Sequence, residues 1–141
     1  VAVDQDQYAL QQLEKALAEQ ELLDRVQLIH GDFYDVKTNG DVVLFDFCLH
    51  EMKDAASAIE HARSLAPEVV IFDHWPDSEW AYMVAEEEKV KLSTAAAMAA
   101  HVRRYSVYHD EQHFNNYSEL YNKVSSQGAI AIERIRRFEG M

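Results

Sequence analysis

The first apolar run is short. Val1 to Val3 is followed by Asp4, after which the period changes and Leu10, Leu13 and Leu17 fall on one helical stripe. This spacing predicts a strand running into a helix. A second run, Val26 to Ile29, closes on His30, Gly31 and Asp32, and Asn39-Gly40 marks a turn before the run Val42 to Phe47. Asp54 stands where a helix cap belongs, ahead of Ala55, Ala58, Ile59, Ala62 and Leu65 on one face. Pro67 stops that helix before the run Val69 to Phe72. The runs Val42 to Phe47 and Val69 to Phe72 do not alternate apolar with polar, which predicts central strands covered by helices on both faces. Strand and helix in alternation predict an α/β chain with a parallel sheet.

Beyond Pro76 the pattern is helical through Trp80, Met83, Val84 and Val90 and passes into the alanine-rich segment Ser93 to Ala100. One long helix, or two with a break, is expected. His101 to Asn116 is polar, aromatic and rich in histidine without a clear period, and reads as a loop or lid. Ser118 to Gln127 reads as a helix ended by Gly128, and Ala129 to Phe138 as a final strand. There is no repeat and no Gly/Ser- or Pro-rich linker, so residues 1–141 form one domain. Within it, 1–75 reads as a core, 76–116 as a helical and loop insertion, and 117–141 as a closing helix and strand.

Composition narrows the partners. The net charge of -12, from 25 acids against 13 bases, argues against a phosphate-neutralising surface, so neither nucleic acid nor an anionic membrane is expected as a partner. Arg134, Arg136 and Arg137 are read as solvated edge charges. The one cysteine, Cys48, cannot form an internal disulfide, the N-terminal stretch of this sequence is not charged-then-apolar, and no apolar run reaches membrane-spanning length, which together suggest a cytoplasmic protein. A homodimer is left open.

In an open parallel sheet the ligand site lies beyond the carboxyl ends of the strands. Those ends are Asp4 and Gln5, Asp32 and Phe33, Asp46 to His50, and Asp73 to Trp75. Carboxylates at successive ends can accept hydrogen bonds from a ribose diol or an exocyclic amine, and Phe33 and Phe47 could line an apolar slot. Any one of these acids taken singly is better explained as a turn former or helix cap than as a ligand contact, and Asp6 and Asp54 are read as caps. The argument for a site is their recurrence.

Val-Ala-Val-Asp-Gln-Asp, His-Gly-Asp-Phe, Asp-Val-Val-Leu-Phe-Asp-Phe-Cys-Leu-His-Glu-Met and Leu-Ala-Pro-Glu-Val-Val-Ile-Phe-Asp follow one another between Val1 and Asp73. In order and spacing they resemble the class I S-adenosylmethionine-dependent methyltransferases, and Leu-His-Glu-Met is similar to the ubiquinone-type and other small-molecule members. The resemblance implies a Rossmann-like, doubly wound, mostly parallel sheet and a small-molecule methyl acceptor. It implies that Asp4 holds the ribose hydroxyls of S-adenosylmethionine with Gln5 beside the adenine. Asp32 then faces the adenine amine, with Phe33 as backbone donor and wall, and Asp46 and Phe47 face the methionine part. The family's opening strand, Gly-x-Gly loop and helix are not in this sequence, nor is its last strand. The natural protein is therefore expected to extend at both ends.

Methyl transfer needs a base only when the acceptor is protonated, and His50 and His74 are the candidates. Trp75, Tyr105 and His109 are candidate substrate contacts under the lid, with Trp80 a candidate for the core. No metal site is expected, because the seven histidines lack His-x-x-x-His or Cys-x-x-Cys spacing. Cys48, beside a buried strand, reads as an inert thiol. Two other functions fit the same pattern: a nicotinamide-dependent oxidoreductase, and a non-catalytic binding or dimerisation module.

Overall fold

The computed structural model describes residues 1–141 as a mixed α/β chain with six α-helices and two small parallel sheets. Strand β1 (Ala2–Asp4) runs into helix α1 (Gln7–Glu19), and β2 (Leu28–His30) returns beside β1. Asp6 caps α1, its carboxylate accepting from the Tyr8 amide at 2.9 Å, as its position before the helical stripe predicts. Leu10 is buried and Leu13 and Leu17 are half-buried, so the stripe faces the small sheet.

The second pair is β3 (Val42–Asp46) and β4 (Glu68–Phe72), joined through helix α2 (Ala55–Leu65). Asp54 caps α2 through the Ser57 amide at 3.2 Å. Register decides which face of this pair is covered. Val43 opposite Val69 and Phe45 opposite Ile71 point toward α2, whereas Leu44 opposite Val70 and Asp46 opposite Phe72 point outward. Leu44 is 57% exposed and Phe72 50%, so the expectation of strands covered on both faces is corrected: one face only is packed. The unbroken apolar run misleads because an apolar side chain does not reveal which face of a strand it occupies.

Phe45, Leu49, Ala58, Ile59 and Ala62 make the first core, closed on its far side by Ala96, Ala97 and Ala100 of helix α4 (Glu87–Ala99) and its C-cap. Small residues let α4 lie close against α2. The helical stretch after Pro76 is two helices, with α3 (Glu79–Met83) separated from α4 by a turn in which Ala85 takes φ 62°. Residues His101 to Asn116 have no regular structure, as the absence of a period predicts.

The C-terminal strand expected over Ala129 to Phe138 is not formed. Helix α5 (Tyr117–Val124) is followed by α6 (Ala129–Ile135), and residues 117–141 are helices and turns. Ala131 and Ile135, four positions apart, enter a second core with Val84, Leu120 and Val124. Gly128, at φ 104° and ψ 178°, makes the reversal between α5 and α6 in a backbone region open essentially to glycine alone. Arg134 ties α6 to α4 through two hydrogen bonds to Glu87, at 2.9 and 2.7 Å, and reaches the Tyr82 carbonyl. No helix is long and apolar enough to cross a membrane.

Candidate functional site

The chain leaves β3 through a bend that it could not make in ordinary conformation. Phe47 takes φ 49°, a left-handed value costing roughly 1–2 kcal/mol in a residue with a side chain, while its amide still donates to the Phe72 carbonyl at 2.7 Å. The bend turns the Phe47 ring outward onto Phe72 and His74, both at 4.9 Å. A single 3-10 turn, Leu49–Glu51, then carries His50 inward, and Leu49 anchors the turn in the first core.

His50 is 6% exposed and both of its ring nitrogens are engaged. Nδ1 lies 2.7 Å from Asp73 Oδ1, while Nε2 lies 3.2 Å from Glu86 Oε2 and 3.4 Å from Glu51 Oε1. Asp73, which directly follows β4, is itself held from three sides. Its carboxylate accepts from the His50 amide at 3.1 Å and the His74 amide at 2.8 Å, besides the His50 ring. Glu86 comes from the turn beside Ala85, and Lys89 donates to Glu51 Oε2 at 3.0 Å. A His and two Glu thus gather from β3's end and from the start of α4, and His50, Glu51 and Glu86 could hold a cation.

The electrostatics follow from this arrangement. The hydrogen bond that the His50 ring donates to Asp73 raises the His50 pKa, against the opposing pull of burial. Burial pulls the Asp73 carboxyl upward, but the His50 ring and the two amides outweigh it and hold it below the usual range. Burial lowers His74, so its imidazole is neutral near pH 7. Burial and the neighbouring Glu51 carboxylate raise Glu86.

A raised histidine contributes stability that is complete below its ordinary pKa of 6.5 and is lost as pH rises through the folded value. The lowered Asp73 contributes in the opposite sense, losing its share as pH falls below 3.8 toward its folded value. In the presence of chelator, the urea midpoint should therefore decline above about pH 6.5, and Asp73→Asn should flatten that decline. His74, lowered by burial, acts only below this range. An equally steep decline in Asp73→Asn would count against the pairing.

The ends of β1 and β2 carry the other candidates. Asp4 accepts from the Asp6 amide at 2.8 Å and Asp32 from the Tyr34 amide at 2.9 Å, so each acid spends one oxygen on its own turn. Gln5 is exposed, and its carbonyl lies 3.0 Å from His30 Nε2. The Phe33 ring packs edge-on against Phe45 at 5.3 Å and His61 at 5.0 Å, against the first core. Asp46 is exposed at the end of β3.

Cys48, directly after the bend at Phe47, is half-buried. Burial raises its thiol pKa, and the carboxylates of Asp73, Asp46 and Asp4 add to the rise.

On the far side of β4 a broad trough of about 1620 Å³ runs beneath residues 101–116. That is larger than the roughly 300–1,000 Å³ of an ordinary small-ligand pocket, so the trough is open ground rather than a fitted cavity. Trp75 and Tyr105 stack across it at 5.7 Å and 11°, and Trp80 stacks on Phe114 at 6.0 Å beside the second core. His109 is exposed on the trough's loop side, apart from the His50 cluster.

Reading along the chain brings forward His50, His74, Asp46 and Phe47 but misses Glu51 and Glu86, and it gives Asp73 no role toward His50. Glu86 sits in a Glu-Glu-Glu run that looks like a solvated helix face. The one available signal is the His-Glu pair four residues beyond the end of β3. No protein-family model matches the chain, and no curated protein or solved structure is significantly similar to it.

Proposed function

We propose that the chain is a Rossmann-like domain of the class I methyltransferase type, transferring a methyl group from S-adenosylmethionine to a small-molecule acceptor. The observation that carries this reading is the recurrence of an acid at the carboxyl ends of parallel strands, Asp4 closing β1, Asp46 closing β3 and Asp73 directly following β4, where an open parallel sheet binds its ligand. Acids recur there as an adenosine site requires. Asp4 and Asp32 each retain carboxylate capacity beyond the one backbone hydrogen bond they accept. The residues therefore fit the adenosine half of the cofactor.

In this reading Asp4 accepts from the ribose hydroxyls, Gln5 lies beside the adenine, and Asp32 with the Phe33 amide receives its amine edge. Asp46 and Phe47 face the methionine half. When bound, S-adenosylmethionine supplies an electrophilic methyl on a sulfonium. His74 is the better placed of the two histidines to take an acceptor proton, since its ring is neutral whereas both nitrogens of His50 are already engaged. Phe47, Trp75 and Tyr105 give an acceptor flat apolar walls, with His109 on the loop above.

Thermal unfolding with S-adenosylmethionine, S-adenosylhomocysteine and NAD tests the reading. Both adenosyl compounds should raise the midpoint, and Asp4→Ala should remove most of that rise with the apo midpoint little changed. Stabilisation by NAD alone would support an oxidoreductase instead. No stabilisation by any of the three would sink both, and would favour a non-catalytic binding module, for which the outward face of Leu44, Val70 and Phe72 is the supporting observation.

A further inference from the structure

We propose that His50, Glu51 and Glu86 form a binding site for a divalent transition cation of the zinc type. The donor atoms, His50 Nε2 and one oxygen of each glutamate, all lie within 4.8 Å of one another. Ligands about 2.1 Å from a tetrahedral zinc stand about 3.4 Å apart. The observed 3.2 and 3.4 Å from Nε2 to Glu86 and Glu51 are of that size, so little movement is needed.

What separates this group from an ordinary cluster of acids is the imidazole and its support. Asp73 holds Nδ1 at 2.7 Å and is fixed in turn by two backbone amides, so Nε2 is aimed at the glutamates by a carboxylate–histidine relay of the kind that orients metal-binding histidines. Nε2 must lose its proton to bind a metal, and Asp73 accepts the remaining one on Nδ1. The imidazole nitrogen also selects among cations, because calcium and magnesium favour oxygen alone while zinc accepts nitrogen and carboxylate oxygen.

Charge points the same way. Asp73, Glu51 and Glu86 bring three carboxylates to a side chain that is 4% exposed, and Lys89 compensates only the outer oxygen of Glu51. A divalent cation would neutralise the remainder. With Glu51 about half exposed, three protein ligands leave a coordination position open toward solvent, as in zinc sites that bind water or substrate. The site needs no adenosyl cofactor, and its fate is independent of the methyltransferase reading.

The test uses the full chain, stripped with chelator and titrated with Zn²⁺ alone in a calorimeter, with Mg²⁺ as comparison. One equivalent of Zn²⁺ per chain, a raised unfolding midpoint and negligible response to Mg²⁺ are expected. Glu51→Gln and Glu86→Gln should each weaken the affinity at least ten-fold. Asp73→Asn, which keeps the volume but not the charge, should weaken it by roughly 10- to 100-fold. His109→Ala should have no effect, which separates the site from adventitious binding by exposed histidines. Glu51 is half-exposed and Glu51→Gln should fold normally by circular dichroism. Absence of stoichiometric Zn²⁺ binding would overturn the proposal and leave a histidine held among carboxylates, and so would affinity unchanged in Glu51→Gln and Glu86→Gln.

Discussion

Phe45→Ala is expected to destabilise the chain by about 3–5 kcal/mol, the largest effect of any single truncation in the first core. Phe45 is 2% exposed and stands at the one point where β3, the 3-10 turn at Leu49 and helix α2 meet. Its ring is also the edge partner of Phe33, so truncation removes an aromatic pair together with the buried area. The surrounding Ala58 and Ala62 are too short to close the gap, and a cavity will remain. Only 18 of 141 residues are buried, so little else is held in reserve. A domain of this size is stable by roughly 5–15 kcal/mol, and the loss would be a large share of that. Urea denaturation followed by circular dichroism measures it; a change below about 1 kcal/mol would mean that the Phe45 contacts do not organise this core.

Asp73→Ala should cost a comparable amount, about 3–5 kcal/mol, for a different reason. The carboxylate is the common acceptor for the His50 ring and for the amides of His50 and His74. Removing it strands three donors at once, one of them on a side chain that is almost wholly buried. The His50 ring would lose the partner that fixes its orientation, leaving Glu86 and Glu51 facing it without a counterweight. Asp73→Asn restores one acceptor and most of the volume, so its cost should be clearly smaller. Equal denaturation midpoints for the two variants would show that volume, and not the shared acceptor, is what matters.

Much of the fold is visible along the chain, and the exceptions have a common origin. Asp6 and Asp54 are legible as caps because a cap is a local device, one side chain serving an amide two or three positions away. The irregular stretch from His101 is legible for the same reason, whereas the sequence leaves open whether the preceding helix is broken and does not place the break after Met83. Ala129 to Ile135 is not legible either. Its β-branched and alternating residues suit a strand, yet Ala131 and Ile135 also satisfy a helical spacing, and contact with Val84, Leu120 and Val124 decides between them. The candidate site divides along the same line. His50 and His74 are found because they follow strand ends, whereas Glu86, 36 positions from His50, belongs to it only through the packing of α4.

The unpaired edge of β3 and the outward row of Leu44, Val70 and Phe72 also bear on how copies of the chain meet. An open strand edge beside an apolar surface is a template for pairing with another chain. What opposes it is the charge of -12, a repulsion that every copy carries. That repulsion reaches only about 8 Å at physiological ionic strength and vanishes near the isoelectric point of about 4.9. The colloidal behaviour of the chain is therefore a contest between a short-range adhesive strip and a screened charge, which acid and salt both tilt toward association.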